Sequence, residues 1–297
     1  MTMMRFRGNP ILKPRNLNSW ESRFVFNAGI LRDDEGEVHI LYRAMGEDRI
    51  SRIGYASSSD GYAIDERLDY PVFEPSAPYE KYGCEDPRLT QMDRRCFMAY
   101  TAYADSQLGA FQIGLTDIAI GDLQEKSWNW GKRLFPFPGV RDKNATILPK
   151  KVRGKYVLFH RIDPDICVTY SEDLEHWTDM KAIMGPRWEK WDNFKIGCAG
   201  PPIDVGQGWL FIYHGVDFER VYRLGVALLE KENPENVIYR SEQPILEPEE
   251  DYEKYGNVPN VVYSCGSALI DDKLFVYYGG ADTVLCLATY ELDEILP

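Results

Sequence analysis

The sequence predicts an all-β fold, a five-bladed β-propeller, on three observations. Aromatic residues make up 13% of the 297 residues, including 19 Tyr, and they are accompanied by 24 Gly and 18 Pro. Short runs of alternating apolar and polar residues, rich in aromatic and β-branched side chains, recur along the chain, whereas long runs with helical periodicity are rare. One strand signature also repeats at intervals of 54 to 64 residues.

The repeated signature is a tight turn followed by an alternating strand that ends in an aromatic residue. A second strand of small and apolar residues follows most copies, as in IGYASSSDG and LGVALLE. The five copies are GEVHILYRA from Gly36, RRCFMAYTAY from Arg94, GKYVLFHRI from Gly154, GWLFIYHGV from Gly208 and DKLFVYYGG from Asp272. With two flanking strands each unit is a four-stranded antiparallel sheet, and five such sheets around an axis form a propeller.

The repeat also predicts the domain organisation. A unit of this length cannot bury both of its apolar faces alone, so neighbouring units must stack. We expect one domain over residues 1–297, although the length alone suggests two. A pair of sandwich domains is the alternative, but it would not repeat a strand pair at near-constant spacing. Helices are expected to be short, as at 234–237 and 292–296.

Charge and cysteine usage exclude several classes of protein. With 34 Lys and Arg against 47 Asp and Glu, the net charge is −13, which argues against binding to nucleic acid or to an anionic membrane. The chain starts without the apolar segment of a signal peptide and has no long apolar run, so we expect a cytoplasmic protein. The six cysteines form no CxxC pair, which disfavours a zinc or disulfide framework. Four of them have small or apolar neighbours, which favours buried free thiols.

Polar side chains end four of the five repeated strands. The innermost strands of a propeller converge on its axis, so these side chains would face one another. A ring of Arg, His and Asp suggests a functional site, although surface turns also carry charge. The residues are Arg43 in LYRA, His160 and Arg161 in LFHR, His214 in IYHG and Asp282 in YYGGAD.

The segment YGCEDPRLT places Glu85, Asp86 and Arg88 beside a proline. Pro87 biases Asp86 away from helical backbone, which holds the carboxylate on an extended turn. Such a carboxyl group suits acid catalysis if it lines a pocket away from water, because burial favours its protonated form. A turn closed by a salt-bridged Arg explains the same pattern without any function.

A second group of residues is cationic or donates hydrogen bonds. At strand ends near one axis, these residues would form a local positive site that suits an oxyanion such as phosphate. Scattered, solvated cations are the alternative. The absence of a P-loop or GxGxxG motif before a helix argues against a nucleotide. The residues are Lys143 and Asn144 in RDKNATILP, Arg161, Lys195 in FKIGCAGPP, and His214.

Aromatic residues between the predicted strands are candidates for stacking on sugar rings. They offer flat apolar faces, but such residues more often pack between neighbouring sheets, and we favour that interpretation. These residues are Trp20, Tyr82, Trp188, Trp191 and Tyr255.

With these residues in place, the sequence resembles glycoside hydrolase family 130, the β-mannoside phosphorylases and related mannosidases. The resemblance covers nearly the whole chain, and its motifs are highly specific when taken together in this order. It implies a five-bladed β-propeller, which agrees with the repeat count. The motifs are NPIL, VFNAG, LYRA, EDPR, KNATILPKKVRGKYVLFHR, KIGCAGPPI, GWLFIYHGVD, YRLGVALLE, ILEPEEDYE, VPNVVYSCG and YYGGADT.

The resemblance implies inverting phosphorolysis, in which inorganic phosphate splits a β-mannoside and releases α-mannose 1-phosphate. Asp86 matches the family's general acid, which acts through the 3-hydroxyl of the bound mannose. No metal or organic cofactor is implied, because phosphate is a co-substrate. The implied substrate-binding residues are Asn27, Arg43, Arg88 and Asp282, and the phosphate-binding residues are Lys143, Asn144, Arg161, Lys195, His214 and Tyr222. Several relatives carry Arg where this chain has Lys143, so the charge is kept and bidentate binding is lost.

Two other functions are considered. A β-mannosidase of the same family would need a second carboxylate to activate water, whereas phosphate is already anionic and needs charge compensation. The cationic residues therefore favour the phosphorylase. A sugar-binding propeller without activity is the third interpretation. The linkage (β-1,2 or β-1,4), the acceptor sugar and the number of subunits stay open, and a homo-oligomer is possible.

Overall fold

The computed structural model describes residues 2–104 and 110–295 and consists almost entirely of β-strands. The helices are α1 (Ile120–Gln124), α2 (Asp251–Lys254) and α3 (Leu292–Ile295), and 3-10 turns lie at Ser19–Glu21 and Pro78–Glu80. The prediction of a β-rich chain is confirmed. The strands are β1 (Met4–Arg5), β2 (Phe24–Arg32), β3 (Val38–Met45), β4 (Ser51–Ser58), β5 (Glu66–Arg67), β6 (Gly83–Met92), β7 (Arg95–Tyr103), β8 (Phe111–Ala119), β9 (Lys143–Ile147), β10 (Tyr156–Ile162), β11 (Asp165–Ser171), β12 (Trp177–Met184), β13 (Lys195–Cys198), β14 (Ile203–Asp204), β15 (Trp209–Val216), β16 (Tyr222–Leu229), β17 (Val237–Arg240), β18 (Val262–Ile270), β19 (Lys273–Gly280) and β20 (Val284–Glu291).

Each repeated sequence signature forms the first strand of an antiparallel pair. The pairs are β3 with β4, β7 with β8, β10 with β11, β15 with β16, and β19 with β20. An earlier strand joins the other side of each pair; these strands are β2, β6, β9, β13 and β18. Strand β1 pairs with β20, so the two ends of the chain meet in one sheet.

Hydrogen bonding divides the strands into four sheets. Three of them have the orders β1-β20-β19-β18, β12-β11-β10-β9 and β13-β15-β16-β17, with β14 beside β15. The fourth holds seven strands in two groups, β2 to β5 and β6 to β8, and the parallel pair Ser51 and Gly83 joins the groups. A Cβ atom on Gly83 would lie 2.7 Å from the backbone nitrogen of Ser51, so this junction requires glycine.

The apolar core lies between neighbouring strand groups. In β19, Leu274, Val276 and Tyr278 pack towards β15 and β16. The alternate residues Phe275 and Tyr277 pack towards β2 and β3. Both faces of the central strands are therefore buried, which explains their aromatic and aliphatic composition. All six cysteines are free and buried, whereas burial was predicted for four of them.

One of the two predicted helices is wrong. Residues 234–237 form a turn and then enter β17. Asn236 N donates to Asn233 O, and Val237 pairs with Leu229 in the neighbouring strand. Strand pairing prevails because so short a segment cannot support a helix alone. The other helix is confirmed over Leu292–Ile295, and its predicted last residue, Leu296, lies outside the described residues. No helix within 2–104 and 110–295 is long and apolar enough to cross a membrane.

Candidate active site

A cavity of about 230 Å³ opens where strands of several groups begin or end. All predicted site residues except Arg88 and His214 line it. The predicted residues in its wall are Asn27, Arg43, Asp86, Lys143, Asn144, Arg161, Lys195, Tyr222 and Asp282. The wall also contains Phe111, Arg141, Asp142, Asp163, Val258, Val261 and Tyr263.

Backbone bulges place three of these side chains at the cavity. The strand register shifts at Asn27 in β2, at Asp86 in β6 and at Asn144 in β9. All three residues have positive φ angles, of 47°, 52° and 59°. Asn and Asp adopt this conformation more readily than other residues with a Cβ atom. A bulge re-aims the extra side chain, so the same local feature directs one side chain into the wall from each of three strand groups.

Asp86 and Asp282 mark one part of the wall, which we call the carboxylate side. Oδ1 of Asp86 accepts hydrogen bonds from Asn27 Nδ2 at 2.9 Å and from Arg43 Nη1 at 3.1 Å, and Oδ2 accepts one from the Tyr263 hydroxyl at 3.3 Å. Burial favours the protonated acid, but Arg43 and two further cations outweigh burial and hold the pKa of Asp86 below its ordinary value. With these neighbours the carboxylate is the favoured form at neutral pH.

Asp282 differs from Asp86 in the direction in which its pKa is shifted. It follows β19 and has a φ angle of 49°. Burial raises the pKa of Asp282 to about 7; Arg43 opposes this shift, and the charges of Asp86 and Glu85 add to it. The pKa values of the two carboxyl groups are thus pushed apart, as in sites where two acids have different roles.

Lys143, Arg161 and Lys195 form another part of the wall, which we call the cationic side. Arg161 in β10 pairs across the strands with Lys143 in β9, and Lys195 begins β13. Burial, followed by the charge of Arg161, lowers the pKa of Lys195 to about 8. Arg161 Nε lies 2.9 Å from Asp163 Oδ1, so one carboxylate offsets part of the positive charge.

Glu85 connects the two sides. Its Oε1 lies 2.6 Å from Arg43 Nη2 and its Oε2 lies 3.5 Å from Lys143 Nζ. Lys143 Nζ also lies 3.5 Å from the centre of the Phe111 ring. Burial lowers the pKa of Lys143, and the charge of Glu85 opposes this shift. Glu85 therefore sustains the charge of Lys143 without lining the cavity.

Several buried polar atoms at this site have no hydrogen-bond partner among the described residues. They include Asn27 Oδ1, Asn144 Oδ1 and both ring nitrogens of His214. Buried polar atoms are normally paired, so unpaired ones beside a cavity indicate a polar ligand or water. A Cβ atom on Gly197 would lie 2.6 Å from His214 Nε2 and 2.7 Å from Asn144 Oδ1, so glycine keeps this space free.

Comparison with known families identifies the chain's relatives. The model of glycoside hydrolase family 130, described as beta-1,4-mannooligosaccharide phosphorylase, matches residues 3–297. The chain belongs to glycoside hydrolase family 130. The resemblance inferred from the sequence motifs is thereby confirmed.

Individual members of family 130 are also similar to this chain. It is 40% identical over 300 residues to the 1,2-beta-oligomannan phosphorylase of Thermoanaerobacter sp. (strain X514), covering 99% of this chain and 98% of the relative. It is 42% identical over 306 residues to the beta-1,2-mannobiose phosphorylase of the same organism, with the same coverage. The solved structure of the Listeria innocua beta-1,2-mannobiose phosphorylase in complex with beta-1,2-mannobiose matches with a TM-score of 0.85 at 26% identity, covering 99% of this chain and 98% of the other.

Arg88 and His214 lie behind the cavity wall. Arg88 is 1% exposed, and its guanidinium donates to Ala199 O at 2.5 Å, Asp86 O at 2.8 Å and Cys198 O at 3.2 Å. The bulge at Asp86 changes the alternation of the strand and sends Arg88 towards these carbonyl groups. Arg88 therefore does not line the cavity, which disagrees with the expected direct contact between Arg88 and substrate. Burial lowers the pKa of His214 well below its ordinary value, so His214 is neutral.

Three residues that line the cavity were not predicted from the sequence, namely Tyr263, Asp142 and Asp163. Tyr263 stands in the motif VVYSCG, but a tyrosine in a strand resembles any other core aromatic residue, so only its position in that motif was a signal. Asp142 Oδ2 lies 2.6 Å from His160 Nδ1, and both side chains are buried. This pairing explains why His160, which ends a repeated strand, does not line the cavity.

The predicted aromatic platforms do not line the cavity. Trp20 stacks on Tyr42 with ring centres 6.2 Å apart, and Trp191 stacks on Tyr213 at 5.6 Å. These two tryptophans therefore pack against strand residues, as the favoured interpretation expected. The other three, Tyr82, Trp188 and Tyr255, are exposed.

Asp33, Glu37 and His39 form a group with metal-ligand spacing within the described part of the chain. Asp33 Oδ1 accepts a hydrogen bond from Glu37 N at 2.9 Å, and Asp33 Oδ2 lies 3.2 Å from His39 Nε2. Both carboxylate oxygens of Asp33 thus contact groups of the protein itself. The group lies outside the cavity wall, so nothing connects it with the candidate site.

Proposed function

We propose that the protein is a β-mannoside phosphorylase that releases α-mannose 1-phosphate with inversion. One observation carries the proposal: a single cavity brings the carboxyl group of Asp86 together with the cations Lys143, Arg161 and Lys195. A carboxylic acid can protonate a leaving oxygen, and the cations can hold a phosphate nucleophile in position. Membership of family 130 and the two relatives named as mannoside phosphorylases support the same function.

In the proposed step, a phosphate oxygen attacks C1 of the mannosyl unit from the face opposite the leaving group, and the bond between C1 and the glycosidic oxygen breaks. The electron pair of this bond goes to the glycosidic oxygen. That oxygen takes a proton from the 3-hydroxyl of mannose, which takes one from Asp86. The products are α-mannose 1-phosphate and a shortened sugar, and Asp86 remains as a carboxylate.

The proposed roles follow the two sides of the cavity. The carboxylate side holds the mannosyl unit, and the cationic side holds phosphate. Arg88 acts from behind the wall by fixing the backbone carbonyl of Asp86, and His214 is neutral, so it would contribute to phosphate binding by hydrogen bonding. The mannosyl-binding residues are Asn27, Arg43 and Asp282, and the phosphate-binding residues are Lys143, Asn144, Arg161, Lys195, His214 and Tyr222.

Phosphate also prepares the acid in this scheme. Asp86 must carry a proton to act, yet nearby cations hold its pKa below its ordinary value. Bound phosphate neutralises the cationic side and so raises the pKa of Asp86. Phosphate therefore acts as the nucleophile, and its negative charge favours the protonated form of Asp86. In the proposed reaction no metal or organic cofactor takes part.

We propose β-1,2-linked manno-oligosaccharides as the substrate class. The two Thermoanaerobacter relatives are named for β-1,2 linkages and match nearly the whole chain, although the family model is named for a β-1,4 linkage. Synthesis in the reverse direction tests this: α-mannose 1-phosphate is incubated with mannose, mannobiose, glucose or N-acetylglucosamine, and the new linkage is read by NMR. A β-1,4 product would contradict the proposed linkage.

We also propose that the five strand groups are the blades of one propeller and form one domain over residues 1–297. Five apolar clusters each lie between two groups, and one of them joins the last group to the first. The pairing of β1 with β20 supports the same closure. One domain predicts a single cooperative unfolding transition in calorimetry, and two separate transitions would contradict it.

The six free cysteines fit a reducing, cytoplasmic location.

Hydrolysis is the second candidate, because Asp142 and Asp163 also line the cavity. However, Asp142 is paired with His160 and Asp163 with Arg161, which leaves neither well placed to activate water. The test incubates the protein with β-1,2-mannobiose with and without phosphate and measures mannose 1-phosphate and mannose. Release of mannose without phosphate would indicate a hydrolase, and binding without turnover in either condition would indicate a sugar-binding protein.

A further inference from the structure

We propose that Tyr263 is a positioning residue that couples the proton donor to the phosphate-binding residues. Its hydroxyl oxygen lies 3.3 Å from Asp86 Oδ2 and 2.9 Å from Arg88 Nη2, and it accepts a hydrogen bond from Asn144 Nδ2. One hydroxyl group therefore contacts the proposed acid, the arginine behind the wall and a proposed phosphate ligand. This role rests on the proposed function.

The chemistry of the partners sets the direction of each hydrogen bond. Arg88 has donors only, and the amide nitrogen of Asn144 is also a donor, so the Tyr263 oxygen accepts from both. The single proton of the hydroxyl then points to Oδ2 of Asp86. Oδ1 of Asp86 already accepts from two donors. The proton that Asp86 carries as an acid must therefore sit on Oδ2, the oxygen that Tyr263 contacts.

The surroundings hold Tyr263 in this position. Tyr263 is 7% exposed, and its ring centre lies 4.7 Å from the ring centre of His214. The Arg88 guanidinium carbon lies 5.9 Å from the centre of the Tyr263 ring. Burial raises the pKa of Tyr263 well above its ordinary value, so the hydroxyl stays neutral. Tyr263 therefore does not exchange its proton; it orients the carboxyl group and favours its ionised form. A ligand at Asn144 acts on the same hydroxyl and thus on the acid.

Replacing Tyr263 with phenylalanine removes the hydroxyl and keeps the ring. We expect Tyr263→Phe to lower kcat about tenfold while the KM for the mannoside changes less than about twofold. The alkaline limb of the kcat profile should move to higher pH. The lost hydrogen bond favoured the carboxylate, so its loss raises the pKa of Asp86, and a general acid stays active up to its pKa.

Tyr277→Phe is the matched control. Tyr277 is buried, and its hydroxyl donates to Gly61 O at 2.7 Å, away from the cavity. We expect this variant to keep the kcat and the pH profile of the parent protein. An unshifted alkaline limb in Tyr263→Phe, or an effect on KM alone, would overturn the proposal.

A second variant tests the link from its other end if Tyr263→Phe does not fold. Asn144→Ala keeps the tyrosine and removes its hydrogen bond to Asn144. At saturating phosphate we expect kcat to fall as well as the KM for phosphate to rise, because Asn144 also acts on Asp86 through Tyr263. A rise in KM with unchanged kcat would overturn the coupling. Phosphate-dependent release of mannose 1-phosphate by the parent protein is measured first, and its absence would reject the proposed function instead.

Discussion

The carboxylate side and the cationic side of the cavity are built in different ways. On the carboxylate side, Asp86 already has protein partners on both oxygens, including Arg43 and Tyr263. On the cationic side, burial and neighbouring positive charge lower the pKa values of Lys143 and Lys195. The first arrangement fixes the geometry of a proton donor. The second concentrates positive charge, and a bound anion reduces the repulsion between these cations, as in preorganised electrostatic sites.

The largest effect on activity is expected from a substitution on the carboxylate side. Asp86→Asn keeps the shape of the side chain but removes its transferable proton, so kcat for phosphorolysis should fall about 10³-fold. The measurement is release of mannose 1-phosphate at saturating phosphate. Asp60→Asn is the control, since Asp60 is an exposed turn residue that accepts from Tyr62 N and Ala63 N. Activity of Asp86→Asn above one-tenth of the parent's would contradict the assigned role.

The next largest effect is expected from a substitution on the cationic side. Arg161→Ala should raise the KM for phosphate about 30-fold, or ~2 kcal/mol, because a buried charge that pairs with the anion is lost. The KM for the mannoside should change less than about threefold. Arg223→Ala is the control, since Arg223 pairs with Asp217 and Glu247 outside the cavity wall. Equal increases in the two KM values would contradict the proposal that the cationic side binds phosphate and the carboxylate side binds the mannoside.

A smaller effect tests whether the phosphate site depends on close packing as well as on charge. Gly197→Ala places a Cβ atom 2.6 Å from His214 Nε2 and 2.7 Å from Asn144 Oδ1, so these groups must move. The KM for phosphate should rise about tenfold, corresponding to the cost of overpacking. Gly121→Ala is the control, because its Cβ atom would meet nothing within 4 Å. An unchanged KM in Gly197→Ala would mean that charge alone defines the site.

The smallest effect is a pH dependence on the cationic side. A lysine with a pKa of about 8 carries its charge below that pH and loses it above, so Lys195 attracts phosphate less as pH rises. We expect the KM for phosphate to rise a few-fold between about pH 7 and about pH 9. Lys195→Arg keeps its charge over this range and should flatten the dependence. A KM that rises equally in both proteins would assign the effect to another group.

The sequence by itself determined the elements whose causes are local. The repeated signature DKLFVYYGG predicts a strand, and it becomes β19. The five repeated signatures predict the five antiparallel pairs. Local patterns of four residues are weaker, and the segment 234–237 became a turn and a strand because it pairs with Leu229. The motif EDPR located Asp86 through the family resemblance, whereas the extended turn predicted from Pro87 is wrong, because Asp86 lies in a bulge with a φ angle of 52°.

Only the tertiary structure decided which polar groups meet. Asp86 and Tyr263 are 177 residues apart in the chain, and Arg88 and Ala199 are 111 apart. The bulge at Asp86 turns Arg88 away from the cavity, and burial beside other charges separates the pKa values of Asp86 and Asp282. A strand's alternation depends on its own residues, whereas a bulge, a buried charge and a shared hydroxyl depend on strands that only folding brings together.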